Sequence, residues 1–217
     1  MGTDSIRKII AAARLQEQQS GDLRQFFSRH LPKLRERLLL PEENAALHLV
    51  SFVEQYIEYV PVFIDSVTSI SRELGVYPYV SPFLHMAEDY FLAPPDELEQ
   101  EVGLRGLLDA AFLAQRLIEE VNDCHIRHYR APLLPVDMTR ANVIVHHLIG
   151  DQLANRLDGL VEHTAQRLVD REHLFEQGRE LPEQMAPDRW QDLPCLSRNA
   201  EVDLRLASPA HFRSQSS

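Results

Sequence analysis

Ala141-Asn142-Val143-Ile144-Val145-His146-His147-Leu148-Ile149-Gly150 is the stretch from which the fold is read. Wound as a helix at ~100° per residue, it sends apolar side chains in every direction, and a helix that is greasy all round is buried all round. The other helices are therefore expected to wrap it. Asn142, His146 and His147 are polar exceptions inside it. Buried polar groups of this kind need hydrogen-bond partners, because an unpaired one costs ~1–3 kcal/mol.

Working outward, Asp137 caps this helix and its apolar face continues through Leu153, Leu157, Leu160, Val161 and Leu168 to about Gly178. A continuous helix of that extent is ~60 Å long at 1.5 Å per residue, so its far third overhangs the body, and a second copy of the chain is the expected cover. Before it, Pro132 and Pro135 form a loop, and a helix from about Leu104 to His128 places Leu104, Leu107, Ala111, Ala114, Ile118 and Val121 on one face. Ser81-Pro82 opens a helix to Leu92, where Pro94-Pro95 stops it. Pro41-Glu42-Glu43 opens a long helix with the stripe Ala46, Leu49, Val53, Tyr56, Ile57, Val60, Ile64 and Val67. Pro61 interrupts that stripe and leaves the carbonyl of Ile57 without its donor, and Gly75 ends the helix. At the start, Thr3 or Asp4 caps a short helix carrying Ile6, Ile9, Ile10 and Ala13, closed by Ser20-Gly21, and Asp22 caps a second that runs to about His30, where Pro32 breaks or kinks it.

The fold class that results is all-α: a bundle of about six or seven helices around a long central helix at about 137–178, with no significant sheet. Residues 1–180 form a single helical domain. Residues 181–217, with Pro182, Pro187, Pro194 and Pro209 and a serine-rich end, form a poorly structured C-terminal tail whose Trp190 gives it something to dock with.

Composition narrows the function. The 217 residues are 44% hydrophobic and 25% charged, as in globular domains, and the formal charge of -11 disfavours nucleic acid and anionic membranes as partners. No apolar run reaches the ~18–20 residues of a membrane span, and the first residues lack a signal-peptide pattern. Cys124 and Cys195, far apart, read as reduced thiols in a cytoplasm. One basic run, Arg24 to Arg37 with Arg29, Lys33 and Arg35 between, is interleaved with Phe26, Phe27, Leu31 and Leu34. It is either a solvated helix face or an electrostatic dock for an acidic partner.

Candidate site residues come from pairing the last two long helices as an antiparallel hairpin. Counted from the turn, His125 comes level with Asn142, and Asn122 with His146, giving a polar layer of Asn122, His125, Asn142 and His146. Such a layer fixes register or lines a ligand pocket. A divalent transition metal (Fe, Zn or Mn) would draw on Glu119, His146, His147, Asp151 and Glu54, with His147 and Asp151 one turn apart. No Glu-x-x-His, His-Glu-x-x-His, Gly-x-Ser-x-Gly or phosphate-binding glycine loop occurs. Cys124 and His125 diverge by ~100° on a helix and cannot act as nucleophile and base. The expectation is a cytoplasmic interaction or regulatory protein that forms homo-oligomers and binds a protein partner. The alternative is a metal-dependent or small-molecule-binding helical-bundle enzyme.

Overall fold

The computed structural model describes residues 3–93, 102–130, 132–134, 137–172 and 202–205. Among them are seven helices, α1 (Asp4–Ser20), α2 (Asp22–Leu34), α3 (Ala45–Glu73), α4 (Tyr77–Leu92), α5 (Gly103–Tyr129), α6 (Thr139–Ile149) and α7 (Asp151–Glu172). Two short strands, β1 (Leu38–Leu39) and β2 (Asp203–Leu204), pair antiparallel. The chain is an all-α bundle, as its periodicity predicts. Most of the expected tail, Trp190 included, lies outside the described residues.

The first helix ends where its sequence says it should, whereas α2 runs on through Pro32 to Leu34 where a break was expected, since the proline forgoes only the one bond to the Ser28 carbonyl. The groups that fasten the two helix starts also differ from those expected. Gly21 takes a positive φ of 65° and returns its N–H to the Glu17 carbonyl, closing α1. Asp22 does not cap α2; the Glu17 carboxylate does, accepting the amides of Leu23 at 2.9 Å and Arg24 at 3.0 Å. Thr3 likewise donates to Asp65 on α3 instead of capping α1. In α3 every predicted stripe residue from Ala46 to Val67 is buried. That helix starts later than Pro41, at Ala45, because Asn44 is left-handed at φ 54°. For α4, Pro78 in the first turn is the start signal, and Pro82 falls inside the helix.

The centre of the bundle is α5, not the helix that follows it. It packs against α1, α3, α4, α6 and α7. Leu108 to Gln115 is buried without interruption, so this is the segment surrounded on all sides. The Ala141–Gly150 segment instead buries one face, through Ala141, Ile144, Val145 and Leu148, while Val143 is 37% exposed. Ala110, Ala111 and Ala114 explain the difference, since small side chains let neighbouring helices approach α5 closely.

The expected single helix from 137 to 178 is also divided. Gly150 sits at φ 89° and ψ 146°, a conformation only glycine adopts comfortably, and it turns the chain between α6 and α7. Beyond this elbow α7 lies on the body, with Ala154, Leu157, Val161 and Ala165 buried, so no overhang arises over those residues. No described helix is long and apolar enough to cross a membrane.

Nothing lies within 4 Å of a Cβ added at Gly150 or at Gly159 in α7, so backbone conformation alone decides the outcome of adding one. Gly150→Ala is expected to lower stability by ~1–3 kcal/mol, and Gly159→Ala, in regular helix, to raise it by ~0.5–1 kcal/mol, both measured by urea denaturation.

Candidate functional site

Two polar regions flank the α6–α7 unit, one whose side chains bond mainly to one another, sealed only at its Tyr56–Asn142 end, and one open. The first is a chain of side chains crossing four helices. The hydroxyl of Tyr56 on α3, wholly buried, donates to Asn142 Oδ1 at 2.7 Å. Asn142 Nδ2 donates to Glu119 Oε2 on α5 at 2.9 Å, and Thr139 Oγ1 donates to Glu119 Oε1 at 3.3 Å. Arg116 pairs with Glu119, and its Nε donates to Asp158 Oδ1 on α7 at 2.8 Å. His146 then stands 4.0 Å from Asp158 and 3.3 Å from Asp151.

The pairing register differs from the hairpin count. Asn142 faces Glu119 instead of His125 because the proline loop folds back along α5 before α6 begins. Its Leu133 and Leu134 are each 1% exposed, and Asn122 Oδ1 accepts both of their amides at 2.8 Å. The loop fills the level at which His146 was expected, so α6 starts lower, with Thr139 beside Glu119. Asn122 is thus a loop anchor, and His125, 1% exposed, is not brought to Asn142.

The metal-candidate residues are only partly assembled. Glu54 lies 3.6 Å from Arg14, and Glu119 is engaged by Arg116 and Asn142. His146 and His147 meet edge to face at 5.8 Å, with Asp151 3.3 Å from the first and 4.0 Å from the second. Among the described residues no group of three or more His, Cys, Asp or Glu side chains is placed to hold a metal ion. Nor is Cys124 an activated nucleophile: burial pushes its thiol above the usual range, against the opposing pull of Arg127 at 3.2 Å.

The open region lies on the other side of the elbow. A cleft of about 590 Å³ runs between α2, the start of α5 and the α6–α7 junction, and a second chamber of about 320 Å³ continues it. Phe26, Leu108 and Leu148 form apolar walls, and Lys33, Arg105 and Arg156 bring cations from three different helices. The second chamber adds His30, Arg37 and His147. Arg105 lies over the Phe26 ring at 4.0 Å, and His30 packs on the same ring at 4.3 Å. Asp109, Asp151 and Glu36 are the acids along the walls. In a chain of net charge -11, a cleft where lysine and arginine outnumber acids is a local reversal of sign.

The Arg24–Arg37 run announces this cleft in the sequence, through Lys33 and Arg37. Arg105 and Arg156 are not legible there, because only the turn at Gly150 carries Arg156 toward α2. The adjacent Gly150-Asp151, a helix-ending residue followed by an acidic helix-opening one, is the signal that could have revealed it.

Two titrations test these placements. Burial, then the Glu119 carboxylate, raise the Tyr56 phenol well above its ordinary value near 10. Tyr56→Phe should cost ~1–2 kcal/mol at pH 7, and the deficit relative to wild type should shrink above pH ~10, where the unfolded phenol ionises and the folded one resists. Burial, then Arg37, hold the His147 imidazole below its ordinary value near 6.5. The unfolded chain therefore takes up that proton first, so wild type should lose more stability than His147→Gln between pH 7 and 5 in parallel denaturant titrations.

No protein-family model, no curated protein and no solved structure matches the chain.

Proposed function

We propose that the protein is a cytoplasmic interaction or regulatory module that docks an acidic, apolar-interrupted segment of a partner protein in the cleft at the α6–α7 elbow. The observation that carries this reading is the convergence of Lys33, Arg105 and Arg156 on apolar walls within a strongly acidic chain. Carboxylates of an incoming segment would meet the cations while its apolar side chains cover Phe26, Leu108 and Leu148. The free Cys124 thiol is in keeping with a reducing compartment.

The metal-dependent enzyme is less favoured. Recruiting Glu119 to a metal beside His146 would take the acceptor of Asn142 Nδ2 and one of the two carboxylates that pair with Arg116. The side-chain network is better explained as the device that fixes α6 against α3 and α5.

A fluorescein-labelled peptide alternating Asp or Glu with Leu or Phe tests the reading by anisotropy. Lys33→Glu with Arg156→Glu should weaken binding at least about tenfold, and raising salt should weaken wild-type binding too. On occupancy the His147 imidazole should titrate at higher pH by NMR, because the bound carboxylates favour its charged form. Binding unchanged by the double substitution would place the acidic partner elsewhere.

A further inference from the structure

The β1–β2 pairing joins residues far apart in the chain, and its seat is built from the early part. Leu204 pairs with Leu38 and Asp203 with Leu39, and the Arg205 N–H donates to the Arg37 carbonyl at 2.8 Å. Val202, 2% exposed, is inserted into the core, as is Leu38 at 0%. Arg140 at the start of α6 donates through Nε to Asp203 Oδ1 at 2.7 Å. The seat therefore reads a short extended segment in three ways: a hole for an apolar side chain, a guanidinium for a carboxylate, and a strand edge for the backbone.

The occupant reaches this seat from the far side of about thirty residues that follow α7. At ~3.3–3.6 Å per residue, a tether of that length reaches ~100 Å when extended, more than the roughly 45 Å breadth of a folded chain of this size. The contacts given above belong to residues 202–205 themselves, and an identical segment supplied by another molecule presents the same groups.

We propose that this seat is a strand-docking site that also accepts the 202–205 segment of a second copy, so that the protein self-associates by exchanging its C-terminal strap. The tethered strap competes at a local concentration in the millimolar range, so dilute wild-type protein is closed on itself. Exchange becomes visible when closure in the same chain is disfavoured.

Charge reversal provides the test on full-length chains. Arg140→Glu repels its own Asp203, and Asp203→Arg repels its own Arg140; both positions are partly exposed. Each chain alone should sediment as a monomer, and an equimolar mixture should give a species of twice the chain mass, because the Asp203→Arg strap suits the Arg140→Glu seat. The chain carrying both substitutions should close on itself again and regain the wild-type melting temperature. A mixture that stays monomeric while the doubly substituted chain regains stability would show that the strap seats only within its own chain, and would overturn the proposal. As an independent readout, the full-length Asp203→Arg chain should bind a labelled peptide of residues 201–206, with affinity falling at least tenfold when Arg140→Glu is added. Absence of peptide binding would also overturn it.

Discussion

The encirclement of α5 is the constraint from which the rest of the structure follows. Leu108 to Gln115 is buried at every position, and Gln115, at 0% exposure, must find its partner inside the protein. Gln115 does so by donating to the Tyr56 carbonyl at 2.6 Å, one residue before the carbonyl that Pro61 cannot serve. That bond ties the middle of α5 to the middle of α3. With these two helices fixed, Tyr56 is held where its hydroxyl meets Asn142, and the position of α6 is set in turn.

The side-chain network and the open cleft have different relations to charge. In the network each charge is answered: Glu119 by Arg116 and Asn142, and Arg116 in turn by Asp158. An arrangement of that kind rigidifies and specifies. The cleft sets its lysine and arginines, with fewer acids, beside apolar walls, the composition of a surface that recognises something. Gly150 belongs to both regions, since the same turn that brings Asp158 of α7 to Arg116 of α5 opens the space facing α2.

How far the sequence could be read depended on whether local pattern or tertiary packing decided each feature. The α3 stripe was legible residue by residue, because its leucines, isoleucines and valines recur at helical spacing and all are buried. The α5 helix was legible from about Leu104 to His128, but its central position was not: Asp109 and Gln115 interrupt its apolar run, and its alanines, which permit close approach, carry little hydrophobic signal. Ala141–Gly150 looked more deeply buried than it is because its histidines were counted on the apolar side, whereas each lines a polar boundary. Of the candidate site residues, Asn142, His146 and Glu119 do join one network. The pairing level of Asn122 and His125 was lost because no residue count reveals that a loop doubles back. Arg105 and Arg156 acquire meaning only after folding.

The Leu38 seat also has a consequence for the order in which the molecule is completed. The strand that pairs with that leucine, with Val202 to Arg205 around it, is translated long afterwards. At ~5–20 residues per second, a nascent chain carries this unpaired apolar edge for roughly ten to thirty seconds while all seven helices have already emerged or are emerging. Vectorial synthesis thus leaves one corner of the bundle open until the end, and at polysome crowding that corner is where newly made neighbours would first meet.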